Sequence, residues 1–457
     1  MVAGTDTRRT VLKLTVEFAA IVAVMAGAAV AIYFGFRSPP IHDKLPLGGR
    51  NVDVSRSQDA QFEAAVATDP QRPTRLLAAS MDGHLDARVY SSADGGRTWT
   101  SSAAPPAQRA PCGFSHPSVA VGPQDLQVVA SLVSDTCQPA DPRLVVAVRN
   151  GSSGAWRVRR VRGVPGYVFD ERPAVSVDDA GTVYVVWPEL IGELSSRQVL
   201  LITRSTDGGT TWSRATRVGS YNGVYGVDLA AGRAARELDL VVSDGRGGRI
   251  VIQHSTNGGA TWSTSRVVAR LAQPYIVGCG AGSAQVAAQP QRCISAIARI
   301  ASNGDHVAVA YADVTTTGRS EVFVATTDRT LSTPFHSRRV APTEPRDADR
   351  FLPTVAYDAS TGALWACYYD TFGDPTRKHT WYTCAQSHDD GRSWARPVHA
   401  ASGKSDETVT GAQGYGDVEG LVAFGGAAHP VWTDSRNSLR DAEEIYTAAI
   451  GERARGK

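Results

Sequence analysis

Seven short polar clusters sit just ahead of, or at the start of, apolar runs in this chain: Glu63, His116, Asp170-Glu171-Arg172, Asp228, Arg292, Asp349-Arg350 and Tyr415-Gly416-Asp417. A carboxylate beside an arginine can hold a polar ligand such as a sugar through charge-assisted hydrogen bonds. Two carboxylates at a suitable separation are also what glycoside hydrolysis needs. The candidate ligand-binding residues are therefore Glu63, His116, Asp170, Glu171, Arg172, Asp349, Arg350, Tyr415 and Asp417, and no catalytic residue is assigned among them. The competing explanation is structural, because loop positions at strand starts are polar in any soluble protein. To act together, these residues must be gathered from seven distant strand starts onto one face.

The element that can gather them is a repeat. Ser92-Ala93-Asp94-Gly95-Gly96-Arg97-Thr98-Trp99 returns as Ser205-Thr206-Asp207-Gly208-Gly209-Thr210-Thr211-Trp212, as Ser255-Thr256-Asn257-Gly258-Gly259-Ala260-Thr261-Trp262, and as Ser387-His388-Asp389-Asp390-Gly391-Arg392-Ser393-Trp394. Asp-Gly and Asn-Gly pairs are hairpin-turn residues, since Gly tolerates positive φ and the Asx side chain bonds the turn backbone. The Trp opens the next strand with a large apolar surface. Asp94, Trp99, Asp207, Trp212, Asn257, Trp262, Asp389 and Trp394 are accordingly read as structural. Weaker copies stand at Asn150 to Trp156 and at Thr326-Thr327-Asp328 to Phe335.

Each copy follows an alternating strand such as Val199-Leu200-Leu201-Ile202-Thr203, with two more strands upstream, such as Pro173 to Val177 and Val183 to Trp187. A four-stranded unit recurring about every 50 residues predicts an all-β propeller. The count favours seven blades, with six as the alternative. The last unit lacks a fourth strand, which Asn51-Val52-Asp53-Val54 can supply to close the ring. Trp187, Tyr311, Tyr368, Tyr369 and Trp432, near the ends of second strands, are expected to pack between blades, with stacking on sugar rings at a rim as the alternative.

The octapeptides resemble the Asp-box (BNR) repeats of the sialidase-like propeller family, over most of the chain after residue 50. The resemblance implies the fold. In sialidases it would also imply three arginines on the sugar carboxylate, an Asp acid/base, and a Tyr nucleophile paired with a Glu. The first arginine normally lies in a Phe/Tyr-Arg-Ile-Pro motif, but the matching stretch here is Asp59-Ala60-Gln61-Phe62-Glu63-Ala64-Ala65-Val66. The expected function is thus a binding propeller for a glycan or a cell-envelope protein. The alternatives are a divergent exo-sialidase or other glycoside hydrolase, and a purely architectural partner.

Residues 15–36 are apolar except for Glu17, and as a helix they span roughly 33 Å, enough for a bilayer core. Arg8, Arg9 and Lys13 before them favour a cytoplasmic N-terminus and an extracytoplasmic bulk. The expected organisation is a cytoplasmic segment 1–14, a transmembrane helix or signal anchor 15–36, a linker 37–50, the propeller 51–451 and a tail 452–457. A cleaved export signal is the alternative, with a twin-arginine-like Arg8-Arg9 and an Ala29-Val30-Ala31 site. Cys112 with Cys137, Cys279 with Cys293, and Cys367 with Cys384 are expected to form disulfides, as suits that compartment. No CxxC and no phosphate loop occur, so no metal and no cofactor is expected. The 47 Lys and Arg nearly balance 45 Asp and Glu, which leaves no electrostatic footprint for nucleic acid.

Overall fold

Second strands such as Val183–Leu190 are apolar almost throughout because both of their faces are covered. Side chains alternate between the faces of a strand. Val185 and Trp187 pack toward one neighbouring sheet, while Tyr184 and Val186 pack toward the other. The computed structural model resolves this pattern into seven antiparallel sheets. It describes residues 48–451 apart from 85, 103–111, 114–115, 135–141, 162–168, 171, 191–196, 233, 246–247, 273–285, 291–293, 295–296, 343–346, 410–412 and 438–441.

The sheets are the blades of a seven-bladed propeller. Their innermost strands are Gln61–Asp69, Ser118–Gly122, Ala174–Val177, Val224–Ala231, Arg299–Ser302, Arg350–Tyr357 and Gly420–Phe424, numbered here as blades 1 to 7. Each inner strand touches the next, and that of blade 7 touches that of blade 1. Seven hydrophobic clusters fill the seven interfaces between successive blades. Closure is the clasp expected from the sequence: Val52–Asp53 pairs antiparallel with Glu444–Thr447 as the outer strand of blade 7. The ring therefore protects its sheet edges. Blade 6 carries the Cys367–Cys384 disulfide across its two middle strands, where these residues are directly paired. Cys137, Cys279, Cys293 and the Cys112 side chain lie outside the described residues.

The predicted transmembrane helix at 15–36 also lies outside the described residues. Among the described residues no helix is long and apolar enough to cross a membrane.

The four octapeptides share one geometry. In the second copy, Ser205 Oγ donates to Asp207 Oδ1 (2.8 Å) and accepts from Gly209 N (2.9 Å). Thr211 donates its N–H to Asp207 Oδ1 (2.9 Å) and its hydroxyl to Oδ2 (2.6 Å). The Thr211 hydroxyl and backbone N–H hold the Asp207 carboxyl down at about 2. In the third copy the direction of one bond reverses, with Asn257 Nδ2 donating to Thr261 Oγ1 (2.7 Å). Each Trp then packs into the interface with the preceding blade: Trp99 between blades 7 and 1, Trp212 between 2 and 3, Trp262 between 3 and 4, Trp394 between 5 and 6. The turn thus fixes a hairpin and a blade contact together. The weaker copy in blade 5 keeps the caged carboxylate, Asp328 accepting from Thr333 N at 2.6 Å.

The second glycine of the motif has two reasons to be glycine. Gly209 has φ +82°, and a Cβ there meets Val148 Cγ2 of blade 2 at 2.5 Å. Gly181 has φ +80° with nothing within 4 Å of such a Cβ. Gly181→Ala is expected to cost about 1 kcal/mol for the backbone alone. Gly209→Ala adds overpacking and is expected to cost roughly 2–4 kcal/mol. Urea midpoints of the two variants check this, and equal losses contradict the blade-contact role.

Candidate functional site

The mouth of the channel is built where inner strands begin. Blade 1's inner strand carries a bulge between Phe62 and Ala65, which places Glu63 at φ +56°. A bulge re-aims one side chain out of the alternation of its strand. His116, just before the inner strand of blade 2, has φ +37°. Neither residue has glycine's freedom, so both backbones are held in a costly conformation by their surroundings.

Those two side chains meet. His116 Nδ1 lies 2.6 Å from Glu63 Oε2, and Arg172 of blade 3 brings Nη1 to 3.9 Å from Glu63 Oε1. Arg172 Nη2 also donates to Asp417 Oδ2. The tripeptide Tyr415-Gly416-Asp417 makes this link possible in three steps. Tyr415 is fully buried between blades 6 and 7, with its hydroxyl 2.6 Å from Thr380 Oγ1 and its ring 4.1 Å from that of Tyr369. Gly416, at φ +84°, lies against Glu63, where a Cβ would stand 2.3 Å from Glu63 Cγ. Asp417 then reaches Arg172 across the channel. Blades 7, 1, 2 and 3 are joined by this one charge network. Its carboxylates are buried, while His116 and Arg172 keep about a fifth to a quarter of their side chains exposed.

The other candidates go elsewhere. Arg350 is fully buried, with Nη1 3.0 Å from Glu321 and Nε 3.1 Å from Asp370. Burial works against its charge, but Asp370 and Glu321 outweigh it and keep the guanidinium ionised. Asp349 pairs with Arg377 and accepts from Ser320 N (3.2 Å). Both residues knit blades 5 and 6 together rather than joining the network at the mouth. Asp228 accepts from Ile300 N (3.0 Å) and so stitches blade 4 to blade 5. Asp170 pairs through its backbone with Glu189, its side chain lies outside the described residues, and so do Glu171 and Arg292.

Two features escaped the sequence reading. Arg299, the first residue of blade 5's inner strand, lines the same mouth as Glu63, His116 and Arg172, with Nε 3.4 Å from Asp228 Oδ2. Its signal was an arginine breaking the apolar run Ile297-Ala298-Arg299-Ile300-Ala301. The second is Tyr369 with Glu419, one donating its hydroxyl to the other, both fully buried. Burial raises Glu419 well above the carboxylate range and raises the Tyr369 phenol well above its own ordinary value. Neither side chain is exposed, and the pair forms a polar tie between blades 6 and 7. Trp187, Tyr368, Tyr369 and Trp432 are all fully buried, in line with packing.

The space open to water among the mouth's described lining residues is about 40 Å³, whereas pockets for small organic ligands hold roughly 300–1,000 Å³. Asp417 accepts from Arg172, while Glu63 lies against His116 and within 3.9 Å of the same guanidinium. No group of His, Cys, Asp and Glu among the described residues is arranged to hold a metal ion.

No protein-family model matches this chain, and no curated relative matches it. It is similar in structure to a protein of unknown function from Dyadobacter fermentans DSM 18053, at 12% identity and TM-score 0.49, over 70% of this chain and 94% of that one. It is similar to the Hadza microbial sialidase Hz136, at 14% identity and TM-score 0.47, over 86% of this chain and 66% of that one. The Penicillium chrysogenum α-L-arabinanase, solved with arabinobiose, is similar at 12% identity and TM-score 0.46, over 88% of this chain and 99% of that one.

Proposed function

We propose that this chain is a membrane-anchored, extracytoplasmic propeller of the sialidase-like, Asp-box type, whose channel face binds a glycan or a cell-envelope protein. The observation that carries the reading is the network Glu63–His116–Arg172–Asp417. It ties both carboxylates to neighbouring side chains, and the space open to water among the described residues beside Glu63 is about 40 Å³, which suits recognition at the rim better than turnover inside. Glu63 also stands in the stretch where the sialidase-type arginine is missing. The anchor rests on residues 15–36, and the Cys367–Cys384 disulfide fits a compartment outside the cytoplasm.

A glycan array probed with the full-length protein and with Arg172→Ala tests it. Binding by the parent, lost in a variant that remains folded, is the expected result. Binding that ignores the substitution overturns the channel face as the site. The second reading is a divergent glycoside hydrolase. What favours it is that Glu63 and Asp417 share one guanidinium, and that Glu63 and His116 sit in strained backbone, a feature that clusters at functional sites.

A further inference from the structure

Away from the channel, a cleft of about 590 Å³ opens between the outer strand of blade 3, Thr216–Asn222, and the side of blade 4. The outer strand bends here, because its register shifts opposite Leu200 and Leu201 and leaves Val218 as the extra residue. Tyr221 forms the floor. Its ring lies over Gly219, where a Cβ would stand 3.1 Å from the ring, and its hydroxyl donates to Gln253 Oε1 (2.8 Å). Gln253 Nε2 in turn donates to Ser263 O (3.0 Å). Tyr221 and Gln253 are buried and already bonded, so the floor is set before anything enters.

The working groups stand above it. Asp244, at the end of blade 4's second strand, is buried and accepts from Arg249 Nε (2.9 Å). The Arg249 side chain is 42% exposed, and its Nη groups make no hydrogen bond among the described residues. Ser220, Thr264 and Ser265 add exposed hydroxyls at the rim.

We propose that this cleft binds a short neutral saccharide. Neighbouring sugar hydroxyls each donate and accept, and here a guanidinium that only donates stands beside a carboxylate that only accepts. The serine and threonine hydroxyls do both. Arg249 and Asp244 cancel in charge, so nothing in the cleft rewards an anionic ligand over a neutral one. Val218 and the edge of Tyr221 offer apolar surface to a sugar's C–H face. The volume falls within the range of formed small-ligand sites. The site does not depend on the channel-face reading.

Saturation-transfer NMR on the full-length protein tests it, with the methyl glycosides of glucose, galactose, mannose and N-acetylglucosamine as probes. At least one is expected to bind saturably. Arg249→Met and the cleft-filling Ser265→Trp are each expected to weaken it by about tenfold or more, while Arg172→Ala leaves it unchanged. Ser265 is exposed, so its substitution spares the fold if Arg249→Met does not. No saturable binding of any probe overturns the proposal. So does binding that survives Ser265→Trp, or binding that is lost only with Arg172→Ala.

Discussion

Replacing Arg350 with Met is expected to cost about 3–5 kcal/mol of stability, the usual loss when one partner of a buried ion pair is removed. Arg350 has no exposure, and its guanidinium spans Glu321 of blade 5 and Asp370 of blade 6. Glu321 keeps Arg339 at 2.9 Å after the change. Asp370 loses its cation inside the protein, so the damage concentrates there. Arg350→Met combined with Asp370→Asn is therefore expected to recover part of the loss. Urea denaturation of the single and double variants measures both. A single-variant loss under about 1 kcal/mol contradicts the assignment of Arg350 as the tie between these blades. The contrast with Arg172 is the point: that side chain is partly exposed and is expected to matter to binding far more than to folding.

Stability is expected to fall steeply as pH rises above the carboxyl range. Burial pushes Glu419 well above its usual value, and burial together with neighbouring Glu443 does the same to Glu407. Each holds a proton in the folded state at pH values where the unfolded chain has released it. Between the unfolded and the raised folded value, each group therefore removes about 1.4 kcal/mol of stability per pH unit. The acid side has the opposite sign. The turn carboxylates Asp207 and Asp389 are held low by hydroxyl and backbone donors, so their stabilisation is present above the ordinary Asp value and lost as pH falls through the lowered one. Glu419→Gln and Glu407→Gln keep the shape of the protonated acid without its titration. Their combination is expected to flatten the alkaline limb, read as urea midpoints from mildly acidic to mildly alkaline pH. An unchanged limb means that neither group holds its proton in the fold.

The turns and the ring were legible because their causes are local. Four copies of one octapeptide specify one hydrogen-bond cage, and unbroken apolar runs such as Val183 to Trp187 report strands covered on both faces. The clasp was legible because the last unit was one strand short. The mouth was only half legible. Strand-start position placed Glu63, His116, Arg172 and Asp417 together, but the same rule named Arg350, whose side chain turns into the interface between blades. Which way a residue beside a bulge points depends on the partner strand, and no spacing in one chain records it. Arg299 and the Tyr369–Glu419 tie were missed because each pairs across blades, Arg299 with Asp228 and Tyr369 with Glu419, and no local spacing connects them. The outer cleft has no motif at all, since it arises where a bulged outer strand faces the next blade.

Hydrolysis separates recognition at the channel face from catalysis within it. Full-length protein, shown to be folded by a cooperative thermal transition, is incubated with chromogenic sialosides and a panel of other chromogenic glycosides. Because Glu63 and Asp417 are both tied into one side-chain network, beside a space of about 40 Å³ among the described residues, no turnover above buffer is predicted. Turnover that disappears in folded Glu63→Gln or Asp417→Asn protein contradicts the binding reading and makes this propeller a glycoside hydrolase.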